Sequence, residues 1–96
     1  MTQAKLVDMD QTVAPRLVTE VPGPKAREHV EYDREWASPS LPRVYPFVPV
    51  RGEGAEVTDI DGNVFVDFCA GIAVNSTGHS HPAVVRAIHE QVDELV

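Results

Sequence analysis

The chain has little of several things, and each shortage excludes something. It has one cysteine, Cys69, in 96 residues, so no internal disulfide can form, and a cytosolic setting is expected. Basic residues are scarce: eight Lys and Arg stand against fifteen Asp and Glu, a net charge of −7. The imbalance is concentrated in residues 51–96, which carry only Arg51 and Arg86. Such a surface repels phosphate backbones and anionic headgroups, so neither nucleic acid nor membrane is expected as a partner. No long apolar run is present, so neither a signal peptide nor a membrane span is read. Three Phe, two Tyr and one Trp leave few large side chains for a core. A chain this short buries only about two-thirds of its unfolded surface, which makes that core marginal.

What is abundant is valine: sixteen of the 26 Val, Ile, Leu and Phe residues. Valine favours strands and buried faces. Seven of the eight prolines precede residue 50, so the first half reads as largely extended or irregular. Residues 1–20 show no periodicity and are expected to form a mobile tail. A helix is predicted from Lys25 to about Trp36, opened by Pro24, with an Arg27–Glu31 pair and a thin apolar stripe of Ala26, Val30 and Trp36. Ser38 to Pro42 ends it. Residues 44–50, broken by Pro46 and Pro49, read as an edge strand or extended loop.

Glu56–Ile60 and Val64–Phe68 read as two strands of a hairpin around Asp61-Gly62-Asn63, with the turn centred on either Asp61-Gly62 or Gly62-Asn63. Small residues from Ala70 to Gly78 form a loop. A second helix then opens at Ser80-His81-Pro82, with Val85, Ile88, Val92 and Leu95 on one stripe. No Gly, Asn, late Lys or Arg, or following Pro closes that helix, so the chain is expected to be a piece of a longer protein.

The His, Cys, Asp and Gly residues admit several chemistries. His79, His81 and His89 with Cys69 match no usual zinc spacing, and no metal site is expected. Cys69 or Ser76 beside His79 lacks an identifiable base and orienter, and Cys69 reads as inert buried packing. Asp59, Asp61 and Asp67 read as turn-shaping, water-facing residues before they read as an acid–base pair. Gly52 and Gly54 precede a strand and form no phosphate fingerprint; Gly71 and Gly78 serve either tight turns or a close backbone approach. Asn75-Ser76-Thr77 reads as a chance sequon.

Taken in order, Arg51-Gly52-Glu53-Gly54, Asp59-Ile60-Asp61-Gly62-Asn63, Phe65, Asp67-Phe68, Ala70 to Val74 and Gly78 to Pro82, followed by Val85, Ala87-Ile88 and Gln91, resemble the class III aminotransferases of the ornithine, 4-aminobutyrate and acetylornithine type. Val21 to Trp36 also resembles the leading helix of the 4-aminobutyrate enzymes. The resemblance implies an α+β N-terminal segment (helix, β-hairpin or small sheet, helix) of a fold type I transferase dependent on pyridoxal 5′-phosphate. Residues 21–96 would belong to the small domain, ahead of the cofactor-binding large domain. It implies a homodimer that moves an amino group from an ω-amine, 4-aminobutyrate first and N-acetylornithine second, to 2-oxoglutarate. The lysine, aspartate and phosphate loop of that chemistry would lie beyond these residues; Lys5 and Lys25 match neither position nor context, so the chain alone is expected to be inactive. Ile72 matches a substrate-lining position, flanked by Gly71 and Ala73, with Tyr45 and Phe47 nearby. Gly78 and His79 match a supporting loop. A non-catalytic interaction module derived from such an N-terminus is the alternative.

Overall fold

The structure is a computed structural model and describes residues 14–96. Its elements are α1 (Pro24–Trp36), β1 (Pro49–Glu53), β2 (Glu56–Asp59), β3 (Val64–Val66) and α2 (Pro82–Glu94). The strands form an antiparallel sheet in the order β1-β2-β3.

Pro24 sits in the first turn of α1, where its missing N–H has no intrahelical partner. The capping residue is Gly23, which has no side chain to offer. The cap comes instead from the hairpin loop: the Asp61 carboxylate accepts from the Lys25 and Ala26 N–H groups, each at 2.9 Å. Its negative charge also suits the positive end of the helix dipole. A Cβ on Gly23 would lie 2.3 Å from Asp61 Cγ, so only glycine leaves room for this arrangement. Replacing Asp61 by alanine is expected to destabilise α1 by about 1 kcal/mol, measured as faster hydrogen exchange at the Ala26 and Arg27 amides.

The expected Arg27–Glu31 pair does not form. Arg27 turns back to donate to the Pro22 carbonyl at 2.7 Å, while Glu31 accepts from Arg34 at 2.5 Å. Freed carbonyls before the helix compete successfully with an exposed pair worth only a few tenths of a kcal/mol. The expected stripe also narrows. Ala26 and Val30 are buried and pack with Val48 and Ile60, whereas Trp36 is exposed.

Of residues 44–50, only Pro49 and Val50 join a strand, and β1 then continues through Arg51, Gly52 and Glu53. Pro49 is tolerated because it is the first residue of an edge strand. Gly52 pairs with Val57, and Glu53 with Glu56. The predicted hairpin becomes a three-stranded meander because residues 51–53, which the sequence placed ahead of the first strand, are themselves strand.

The β2–β3 turn is centred on neither pair expected. Asp59 N–H donates to Asn63 O, and Gly62 N–H donates to Asp59 O, which places Ile60-Asp61 at the centre. Gly62 follows in the left-handed region at φ 91°, as a three-residue hairpin loop requires. The strands accordingly stop at Asp59 and Val66, short of Ile60 and Phe68. Asp59 does not face water. It is buried, and its Oδ1 accepts from the Asp61 and Asn63 N–H groups.

Residues 14–20, assigned by sequence to the tail, run beside β3. Arg16 and Val64 exchange both backbone hydrogen bonds, and Asn63 Oδ1 accepts from the Val18 and Thr19 N–H groups. Residues 1–13 of that tail lie outside the described residues.

In α2, His81 is the cap: its Nδ1 accepts from Ala83 N–H at 3.2 Å. Val85, Ile88 and Val92 of the predicted stripe lie on α2 but are exposed, Leu95 falls outside it as the extended C-cap residue, and no residue of α2 is buried. Among the described residues, no helix is long and apolar enough to cross a membrane.

Candidate functional site

The residues with the most unusual backbone lie between β3 and α2. Asp67 ends the sheet, and its Oδ1 accepts from the Cys69 and Ala70 N–H groups at 3.0 and 2.9 Å. Four consecutive residues then adopt left-handed conformations: Ala70, Gly71, Ile72 and Ala73, with φ of 48°, 65°, 59° and 67°. The Cys69 carbonyl accepts from Ile72 N–H at 2.8 Å, and the Ala70 carbonyl from Asn75 N–H at 2.9 Å. The result is one turn of left-handed helix. Each L-residue with a Cβ costs roughly 1–2 kcal/mol there, so Ala70, Ile72 and Ala73 need support from their surroundings.

That support converges on His79. Its backbone pairs with Gly54 in both directions, at 2.8 and 3.0 Å. Its ring bridges the loop: Nε2 lies 2.6 Å from Asp67 Oδ2, and Nδ1 lies 2.6 Å from Asn75 Nδ2. With the Asn75 amide as donor, Nδ1 is the acceptor and Nε2 carries the hydrogen given to Asp67. Gly52 has no side chain where this ring sits; a Cβ there would lie 2.7 Å from His79 Cγ. The N–H of Ala70, and then the His79 ring, hold the Asp67 carboxyl below its ordinary value.

A cavity of about 560 Å³ opens between the sheet, the Tyr45–Phe47 segment and this loop. Tyr45, Phe47, Phe65 and Gly71 line it together with Asp67 and His79. Phe47 meets Phe65 edge to face at 5.3 Å, which fixes the aromatic wall. Of the residues singled out by sequence, Tyr45, Phe47 and Gly71 therefore share one cavity. Ile72 and Ala73 sit on the same turn but do not line it, and Ile72 is 88% exposed.

Cys69 is exposed, not buried as expected, because the chain turns outward directly after Asp67. Neither Cys69 nor Ser76 has His79 as a base, since both ring nitrogens are engaged and Ser76 Oγ donates to the Ala73 carbonyl. Among the described residues, no group of His, Cys, Asp and Glu side chains is placed to hold a metal.

Pyridoxal phosphate needs an amine for its aldehyde and cationic or N–H donors for its phosphate. Neither Lys nor Arg lines the cavity, and the Asp67 and His79 side chains that do line it bond to each other. Lys25, the one lysine among the described residues, stands at the start of α1. These residues do not by themselves fit the cofactor.

Asp67, Asn75 and His79 as a linked set, and Asp61 as a cap, were missed by sequence reasoning. Their spacings, four and twelve residues across an aperiodic loop and about 35 residues back to α1, correspond to no periodic signal.

Two helices around a three-stranded meander are consistent with the N-terminal segment of a fold type I pyridoxal-phosphate-dependent transferase. Solved structures support this. Acetylornithine aminotransferase from Elizabethkingia anophelis matches with a TM-score of 0.65 at 31% identity, over 73% of this chain and 18% of that one. Ornithine aminotransferase from Toxoplasma gondii matches at 0.63 and 36% identity, over 73% and 16%. The family model "Aminotransferase class-III" matches residues 38–96. The chain belongs to the class III aminotransferases.

Among curated relatives, an alanine/serine racemase of Pyrococcus horikoshii is 45% identical over 80 residues, 82% of this chain. An acetylornithine aminotransferase of Caldanaerobacter subterraneus is 46% identical over 67 residues, 70% of this chain. The chain spans 17% of the length of each of these two relatives.

Proposed function

We propose that these residues are the N-terminal piece of a homodimeric, cytoplasmic enzyme that transfers an amino group from an ω-amino compound to 2-oxoglutarate. The match of residues 38–96 to the class III aminotransferases carries the reading. It also favours an enzyme over a non-catalytic interaction module. Pyridoxal phosphate, bound by residues beyond this segment, would supply the electron sink. In this reading Gly71, Ile72 and Ala73 form one wall of the substrate pocket, and Tyr45 and Phe47 another.

The donor follows from Ile72 and from the relatives together. An aliphatic side chain offers only apolar contact, which suits a methylene chain and gives no hydrogen bond to a second free amine. Relatives named for acetylornithine and succinylornithine support an N-acylated ornithine as the first candidate, ahead of the 4-aminobutyrate that the sequence alone puts first. The racemase relative motivates a second reading, in which an amino acid is returned with inverted configuration.

The test is glutamate formation by the full-length protein, loaded with cofactor, from 2-oxoglutarate and N-acetylornithine, ornithine or 4-aminobutyrate. Turnover highest with N-acetylornithine is expected. Loss of optical rotation from L-alanine or L-serine, with no glutamate formed, would establish the racemase reading instead. The 96-residue chain alone is expected to show no aldehyde-cofactor absorbance band.

A further inference from the structure

We infer that Asp67, Asn75 and His79 are positioning residues that set substrate preference by holding the Ala70–Ala73 turn, and with it Ile72, in place. The inference rests on the proposal that this turn faces substrate.

The turn is intrinsically unfavourable, because three of its four left-handed residues carry a Cβ. Ile72 does not anchor it: its side chain is 88% exposed and packs against little of the described chain. Its location is therefore set by its backbone, and that backbone is clamped on both sides. Asp67 Oδ1 holds the entry through the Cys69 and Ala70 N–H groups. At the exit, the Asn75 side chain meets the His79 ring, which joins the two ends by reaching Asp67 Oδ2. The ring is itself referenced to the sheet. The His79 backbone pairs with Gly54, Ser80 Oγ donates to the Gly52 carbonyl at 2.9 Å, and a Cβ on Gly78 would come within 3.1 Å of Gly54 Cα. A chain of short contacts thus transmits the position of β1 and the Gly54 turn that follows it to Ile72. Both ring nitrogens of His79 are engaged, by Asp67 and Asn75, so the set is suited to holding geometry.

The decisive experiment is a double-mutant cycle in the full-length, cofactor-loaded enzyme, with KM and kcat measured separately for N-acetylornithine and 4-aminobutyrate. His79→Leu removes both ring contacts. It is expected to raise donor KM about tenfold, the scale of one apolar contact in a pocket, with kcat within about twofold. His79→Gln returns a donor to Asp67 and is expected to recover most of the loss. Ile72→Ala should raise KM comparably, and the double variant should be no worse than either single one, because His79 acts through Ile72. If Ile72→Ala raises KM while His79→Leu leaves it unchanged, or if the two effects multiply, the inference is overturned and the pocket reading stands. If Ile72→Ala changes nothing for either donor, the pocket reading itself falls. Should His79→Leu fail to fold, Asn75→Leu replaces it in the cycle, with an expected rise of about threefold and the same criteria.

Discussion

Replacing Asn63 by alanine is expected to lower the local stability of the N-terminal segment by about 3 kcal/mol. Asn63 is wholly inaccessible to solvent, yet it is polar. Its Oδ1 accepts from the Val18 and Thr19 N–H groups at 2.7 and 3.0 Å. Its Nδ2 donates to Thr19 Oγ1 at 2.9 Å and to Asp59 Oδ2 at 2.8 Å. The alanine variant strands two backbone donors and one oxygen of a buried carboxylate, and unpaired buried groups cost more than the lost bonds themselves. Hydrogen exchange at the Val18 and Thr19 amides measures the effect, with exchange in the last turn of α1 as the internal reference. A change below about 0.5 kcal/mol, the size of an ordinary surface substitution, would mean that Asn63 does not join residues 14–20 to the hairpin.

Replacing Gly52 by valine is expected to cost about 3 kcal/mol, at the upper end for overpacking. Even the Cβ alone would lie 2.7 Å from His79 Cγ and 2.8 Å from His79 Cβ. Those atoms cannot swing aside as the tip of a long side chain would. The histidine backbone is paired to Gly54 and its ring to Asp67 and Asn75, so the strain spreads into the left-handed turn. Loss of exchange protection at the Gly54 and His79 amides, with Val57 in the adjacent strand still protected, is the expected signature. Unchanged protection at Gly54 and His79 would mean that the loop is held by something other than this contact.

Local chemistry made part of this structure legible. Pro24 and Pro82 marked both helix starts because the missing N–H is tolerated only there, and Asp-Gly between β-prone runs marked the hairpin. The turn centre was not legible, because it depends on which carbonyl Gly62 N–H reaches, and that is set by Asp59 turning inward. Nor were the partners of Asp61 and Asn63, which lie 35 to 45 residues upstream and leave no periodic trace. At the candidate site, the motif from Ala70 to His81 identified the loop, but its left-handed path could not be read from alanine and isoleucine, residues that avoid that region when unsupported. Charge pairing on α1 was misread for the opposite reason: exposed i, i+4 pairs are weak enough for any nearby carbonyl to displace them.

The three-residue hairpin loop that closes β2 onto β3 has a consequence for the nascent chain on the ribosome. Asn63 is emitted 44 residues after Thr19, and Asp61 is emitted 35 residues after Ala26. At roughly 5–20 residues per second, Thr19 waits about 2–9 seconds for its partner. During that interval α1 has no cap and Val18 and Thr19 have only water. Translation rate through codons 20–63 therefore sets how long the leading segment stays open to chaperones and proteases before the loop closes over it.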